Sequence, residues 1–171
     1  MDESTENGTR FEIWLDILLK SLGQQEVMRN VEYRKGDGSC RQVDLQYLVH
    51  KEGQLYQVLV EAKYSSNGSV PFMLRKEDRR TKTGSETRID NIVDEVWDRH
   101  QFVNAHQSLL VTNSRFPKKV IKLAKHYGIG IIEGDGLQIN YEAAGGKGSI
   151  NDSIKSVEPQ KYRVKRNVIY I

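Results

Sequence analysis

The stretch "YQVLVEAKYSS", residues 56–66, decides how the chain is read. Val58, Leu59 and Val60 run without polar alternation, as in a strand buried on both faces at the centre of a sheet. Glu61 and Lys63 then arrive two positions apart, and in a strand residues so spaced point to one face. A carboxylate and an ammonium together at the end of a central strand have two readings. They form a strand-end ion pair, or they belong to a metal site with a built-in cation.

Working outward, "KEGQ" (51–54) is a tight hairpin turn. Before it, "RQVDLQYLVH" (41–50) alternates Val43, Leu45, Tyr47 and Val49 with polar residues, as a half-buried strand does. "EVMRNVEYR" (26–34) is a further strand, set off by the glycines of "KGDGS". Upstream, residues 10–22 place Phe11, Trp14, Leu15, Ile17, Leu18 and Leu22 at helical spacing, with Gly23 as the stop. Downstream, residues 64–88 have no clear period and form a long insert.

Beyond the insert, Ile89, Ile92, Val93, Val96, Trp97 and Val103 trace a second helix, and "SLLVTNS" (108–114) reads as a buried strand. Pro117 opens a third helix with Val120, Ile121, Leu123, Ala124 and Tyr127 on its apolar face, and Gly128 ends it. "IGIIE" reads as a strand, "GDG" as a turn and "LQINYE" as a last strand. Residues 143–156, rich in Gly and Ser, read as a flexible linker, and residues 157–171 as a basic C-terminal arm or strand. The order α, three strands, α, β, α, β predicts an α/β fold: a mixed sheet flanked by helices, in one domain over residues 10–142.

The 171 residues carry 37% apolar and 29% charged side chains, enough for a packed core and unlike a disordered chain. No apolar run approaches a membrane span, and the acidic "MDESTENGTR" resembles neither a signal nor a transit peptide. A single Cys40 excludes an internal disulfide framework and a cysteine zinc site. These features predict a cytoplasmic, intracellular protein with no membrane partner. Net charge is only +3, but residues 75–88 hold six Lys/Arg against three Asp/Glu. Residues 155–171 hold five against one. Such clusters are solvated surface or contacts to a polyanion.

Asp44 precedes the tight turn by about as many residues as Glu61 follows it, so hairpin pairing brings Asp44 near Glu61 and Lys63. Two carboxylates on rigid strands suit a hard cation. An ammonium beside them can stabilise charge developing on a phosphate. Hairpin geometry alone does not carry the metal reading, because it also fits a polar strand end in which Asp44 and Glu61 pair with Lys63 or Arg41.

"QVDLQYLV", the sixteen residues between Asp44 and Glu61, and "VLVEAK" resemble the Asp–x(n)–Glu-x-Lys signature of the PD-(D/E)xK nuclease superfamily. "FEIWLDILLKSLG" is similar to the first helix of its Mrr-like restriction endonuclease branch and of Holliday-junction resolvases. "SLLVTNSRFPKKVIKLAKHYGIGIIEGDGL" resembles the strand–helix–strand half of Mrr-type domains. The resemblance spans about residues 10 to 137 and implies a restriction-endonuclease-like three-layer α-β-α fold of topology αβββαβ(αβ). It implies an Mg²⁺-dependent DNA endonuclease, with Mn²⁺ as substitute, that hydrolyses phosphodiester bonds through a metal-activated water. Asp44, Glu61 and the Ala62 carbonyl would ligate the metal, Lys63 would orient or deprotonate the water, and Glu12 would reach the same site. Glu12 fits equally a first-turn glutamate favouring the helix dipole.

Many relatives carry a Gln on the helix after the Glu-x-Lys strand, and His100 or Gln101 is expected to take that place. Arg75, Lys76, Arg79, Arg80, Lys82 and Arg88 of the insert are the expected DNA contacts. The family often dimerises, and "KYRVKRNVIYI" is expected to extend a neighbour's sheet as a homodimer forms. The alternative is a catalytically silent nucleic-acid-binding or assembly module on the same fold. Retention of Asp44, Glu61 and Lys63 argues against it.

Overall fold

The chain is described by a computed structural model over residues 3–75, 89–163 and 165–171. Helix α1 (Glu3–Ser21) precedes strands β1 (Gln25–Arg34), β2 (Cys40–Lys51) and β3 (Gln54–Lys63). Then come α2 (Ile92–Val103), β4 (Gln107–Thr112), α3 (Lys118–Tyr127), β5 (Gly130–Ile132), α4 (Gly134–Ala143) and α5 (Ile150–Lys155). A 3-10 turn (Pro159–Tyr162) leads into β6 (Asn167–Tyr170). The strands form one sheet in the order β5-β4-β3-β2-β1-β6. β1, β2 and β3 run antiparallel, whereas β3, β4 and β5 are parallel and β6 runs parallel to β1.

The expected α/β class and the mixed sheet between two helical layers are present, as in a restriction-endonuclease-like three-layer fold. One face buries Phe11, Trp14, Leu15 and Leu18 of α1 with Leu45, Val58, Val60, Leu137, Ile150 and Ile154. The other face carries α2 and α3, where Val93, Val96, Val120 and Ala124 close over Leu110. Leu59 lies with Val31, Tyr33 and Val43 in a third cluster, so the apolar run of β3 is buried on both faces. The hairpin turn after β2 has positive φ at both Glu52 (52°) and Gly53 (76°), the backbone of a type I′ turn whose twist matches its strands.

Four expectations need correction. Helix α1 begins at Glu3, well before residue 10, because its first turns are polar and carry Glu3 and Glu6 at the end of the dipole that favours them. "LQINYE" is helical, not a strand: α4 starts at Gly134, and Leu137 is buried against the α1 layer. A Cβ at Gly134 would lie 2.4 Å from the Asn113 carbonyl oxygen, so the glycine serves close backbone approach and not a turn.

Within the supposed linker 143–156, Ile150–Lys155 form α5, capped by Ser149 through the Asp152 N–H. Ile150 and Ile154 are buried four residues apart, too few apolar positions to reveal a helical period in sequence. Lastly, the C-terminal arm adds its strand to its own sheet, pairing Val31 with Asn167 through Arg34 with Tyr170. No helix among the described residues is long and apolar enough to cross a membrane.

Candidate functional site

The site forms where β2 and β3 part. Their ladder runs from Lys51–Gln54 to Leu45–Val60, and the next rung would set Asp44 against Glu61. There the Asp44 side chain takes over the pairing: Oδ2 accepts the Ala62 N–H at 2.9 Å. On its other side β3 stays paired with β4, Glu61 with Leu110 and Lys63 with Thr112, so the parting leaves β3 rigid. The chain leaving Lys63 is fixed by Asn113, which accepts the Ser65 N–H and donates to the Ser65 carbonyl, both at 2.8 Å.

The neighbouring strand is irregular at the same level. Asn30 adopts φ +56°, a left-handed conformation that Asn tolerates better than most residues. The β1–β2 ladder has rungs at Arg29–Leu45 and Val31–Val43, with none between Asn30 and Asp44. The pleat reverses there. Leu45 and Tyr47 pack on the α1 face, whereas Val43 packs on the α2 face. The expectation that Val43 shares a face with Leu45 and Tyr47 is therefore wrong, because the left-handed residue across from Asp44 breaks the period of two.

Glu12 comes from α1, one position beyond the buried Phe11, and hydrogen-bonds Asp44. Lys63 Nζ lies 3.7 Å from Glu61 Oε1 and 3.4 Å from Glu95 Oε1. Sequence reasoning missed Glu95 and its neighbour Arg99. Both are on α2 and only 7% exposed. Arg99 donates to the Glu95 carbonyl at 3.2 Å and to the Gln42 carbonyl at 3.1 Å, and its Nη2 is 3.8 Å from Glu95 Oε2. It thereby ties α2 to β2 two residues from Asp44.

A signal for these residues exists in the sequence. Ile92, Glu95, Val96, Arg99 and Val103 share one helical stripe, and two charges on an apolar stripe call for partners. His100 does not take the expected place: its Nδ1 is 2.8 Å from Ser108 Oγ and its ring stacks on Trp97. Gln101 is exposed on α2 and carries its side chain to solvent. Burial lowers the His100 pKa.

Crowded acids set the electrostatics. Burial, then the charge of Glu12, raises Asp44 to about 8, against the pull of Lys63 and the Ala62 N–H. Burial and the Asp44 charge hold Glu61 well above its ordinary value. Glu12 is raised by burial and by Glu61, opposed by its Asp44 hydrogen bond and by Arg29. Burial alone would depress Lys63, but Glu61, Glu95 and Asp44 outweigh it and hold the ammonium above its usual pKa. Lys63 stays charged while the acids around it compete for protons.

The oxygens that could hold a cation are those of Asp44 and Glu61, with Glu12 and the Ala62 carbonyl beside them. Among the described residues, no group of three or more His, Cys, Asp or Glu already stands in metal-holding geometry. Of the expected DNA contacts, Arg75 is exposed. Lys76, Arg79, Arg80, Lys82 and Arg88 lie outside the described residues.

No protein-family model matches the sequence, and no curated protein does. Two solved structures are similar. A protein of unknown function, AF1548, superposes with a TM-score of 0.55 at 16% identity, over 81% of this chain and 67% of its own. At that identity the likeness shows the fold alone. The MspJI restriction endonuclease in complex with a 27-mer oligonucleotide gives a TM-score of 0.38 at 12% identity, over 90% of this chain. This chain spans 35% of the length of that enzyme.

Proposed function

We propose that the protein is an Mg²⁺-dependent DNA endonuclease that hydrolyses phosphodiester bonds. The observation that carries this reading is the meeting of Asp44, Glu61 and Lys63 at the parting of β2 and β3, with Glu12 beside them. The donor set is all oxygen, buried and mutually repelling. Such a set fits a hard divalent cation, since a cation offsets the burial and the mutual repulsion that raise all three acids. Asp44, Glu61 and the Ala62 carbonyl would hold it, and Glu12 would reach it from α1. When bound, the ion supplies Lewis acidity and an activated water.

The chain's own residues do the rest. The Ala62 N–H fixes one oxygen of Asp44, which holds the carboxyl in one orientation beside Glu12. Lys63, charged and held by Glu95, offers its ammonium to the water or to the negative charge that builds on the phosphate. Arg99 keeps Glu95 and β2 in place. Cutting both strands of a duplex takes two such sites, so the reading carries a homodimer with DNA as its substrate partner.

The test is cleavage of supercoiled plasmid and of a labelled branched junction, with Mg²⁺, Mn²⁺ or EDTA, by wild type and Lys63→Ala. Cutting that needs the metal and is lost in the variant supports the reading. DNA binding without cutting under any of these conditions replaces it with a non-catalytic binding module.

A further inference from the structure

Beside the acids opens a cleft of about 720 Å³ that Glu12 and Asp44 help to line. One wall is β1 and β2, through Arg29, Asn30 and Gln42; the opposite wall is the C-terminal 3-10 turn, through Tyr162 and Arg163. The two walls are strapped together. Arg29 donates through Nη2 to the Tyr162 carbonyl. Asn167 Nδ2 donates back to the Arg29 carbonyl at 2.8 Å. Arg29 pairs with Leu45, so it sits one strand away from Asp44. Its positive charge is felt at Glu12, whereas Glu6 is neutralised by Arg10 at 3.0 Å. Arg163 is exposed on the opposing wall.

We infer that this cleft is the seat of the DNA backbone next to the scissile phosphate, with Arg29 and Arg163 as phosphate contacts on its two walls. The inference rests on the nuclease reading for its substrate but not for its geometry. The walls present guanidinium groups and side-chain amides, the donors that hold phosphodiester oxygens. The acids among its lining residues are Glu12 and Asp44, where the chemistry is placed, and Glu6, which is already paired with Arg10. A polyanion therefore meets cations along the walls and reaches the carboxylates at one point. The C-terminal segment thus belongs to the substrate site, a role distinct from that of the insert arginines.

The test is fluorescence polarisation of a labelled DNA duplex, with Ca²⁺ in place of Mg²⁺, from about 50 to about 200 mM salt. Arg29→Gln and Arg163→Gln should each lower the slope of log affinity against log salt by about one, and the double variant by about two. Arg163 has an exposed side chain, so Arg163→Gln carries the test should Arg29→Gln fail to fold.

An unchanged slope in Arg163→Gln overturns the assignment. So does an equal loss in Lys119→Gln on α3, binding of RNA but not DNA, or no DNA binding by wild type. A protein that cuts with an unaltered slope keeps the nuclease reading and loses the cleft. One that binds through these arginines and never cuts keeps the cleft and loses the nuclease.

Discussion

Asp44 stands where a rung of the β2–β3 ladder would be and substitutes for it, its Oδ2 taking the Ala62 N–H at 2.9 Å. One carboxylate thereby does two things. It satisfies a backbone donor that the parting strands would orphan, and it brings a charge within reach of Glu61, Glu12 and Lys63. The bond eases a cost set by burial, because the carboxyl is held out of water next to other acids.

That cost has a pH signature. The folded-state pKa of Asp44 is raised from its ordinary 3.8 to about 8, so its contribution to stability is complete below about 4. It is lost as pH rises through about 8. Thermal unfolding in EDTA should show the melting temperature falling across that window, with a shallower fall in Asp44→Asn. Added Mg²⁺ should restore it at the upper end in wild type only, through ligand linkage. A flat profile in wild type would remove the claim that burial and the neighbouring Glu12 hold Asp44 up.

Lys63→Met keeps the aliphatic stem and deletes the charge. Glu61 and Glu95 then lose their common cation, and the fold should lose about 1–3 kcal/mol, as buried charged groups do when left without a partner. Urea unfolding at neutral pH measures this. Cleavage should fall by at least the roughly 100-fold expected on removing a proton-transferring or charge-stabilising group.

Glu95 acts through Lys63. Glu95→Gln removes one of the anions that hold the ammonium up, so the alkaline limb of the pH–rate profile should move to lower pH. The rate at neutral pH should fall by about 10- to 100-fold, the usual scale for groups that orient a site from behind. A merely structural Glu95 would change the melting temperature and leave the profile where it was.

Ile154 is fully buried against α1. Ile154→Ala should cost about 2–5 kcal/mol by chemical denaturation, the usual price of a truncated core isoleucine. A flexible linker would not respond. Gly134→Ala should cost about 1–3 kcal/mol, because the new methyl meets the backbone of Asn113 and neither partner can rotate away.

How much of this was legible in the residues varies by element. The α1 apolar face follows from a period of 3.6, the tight hairpin from its turn residues, and the doubly buried β3 from an apolar run without alternation. The nearness of Asp44 and Glu61 follows from counting across that turn. The pleat reversal at Asn30 does not, because a left-handed Asn inside a strand is set by neighbours and leaves no mark on hydrophobic alternation. Helix α5 was illegible for its shortness, with only Ile150 and Ile154 to show a period. Glu95 and Arg99 are legible as two charges on an apolar stripe, both buried and therefore partnered.

The strand order has a consequence in time. β1, β2 and β3 are neighbours in sequence as well as in space, so their pairing closes short loops and can form early. The acid pair Asp44 and Glu61 comes with that meander. β6 pairs with β1 across most of the chain's length, Val31 with Asn167, and the Arg29–Tyr162 strap comes with it. On a ribosome the acid pair would be assembled while the far side of the neighbouring cleft was still unmade, a lag equal to the time needed to synthesise more than half the chain.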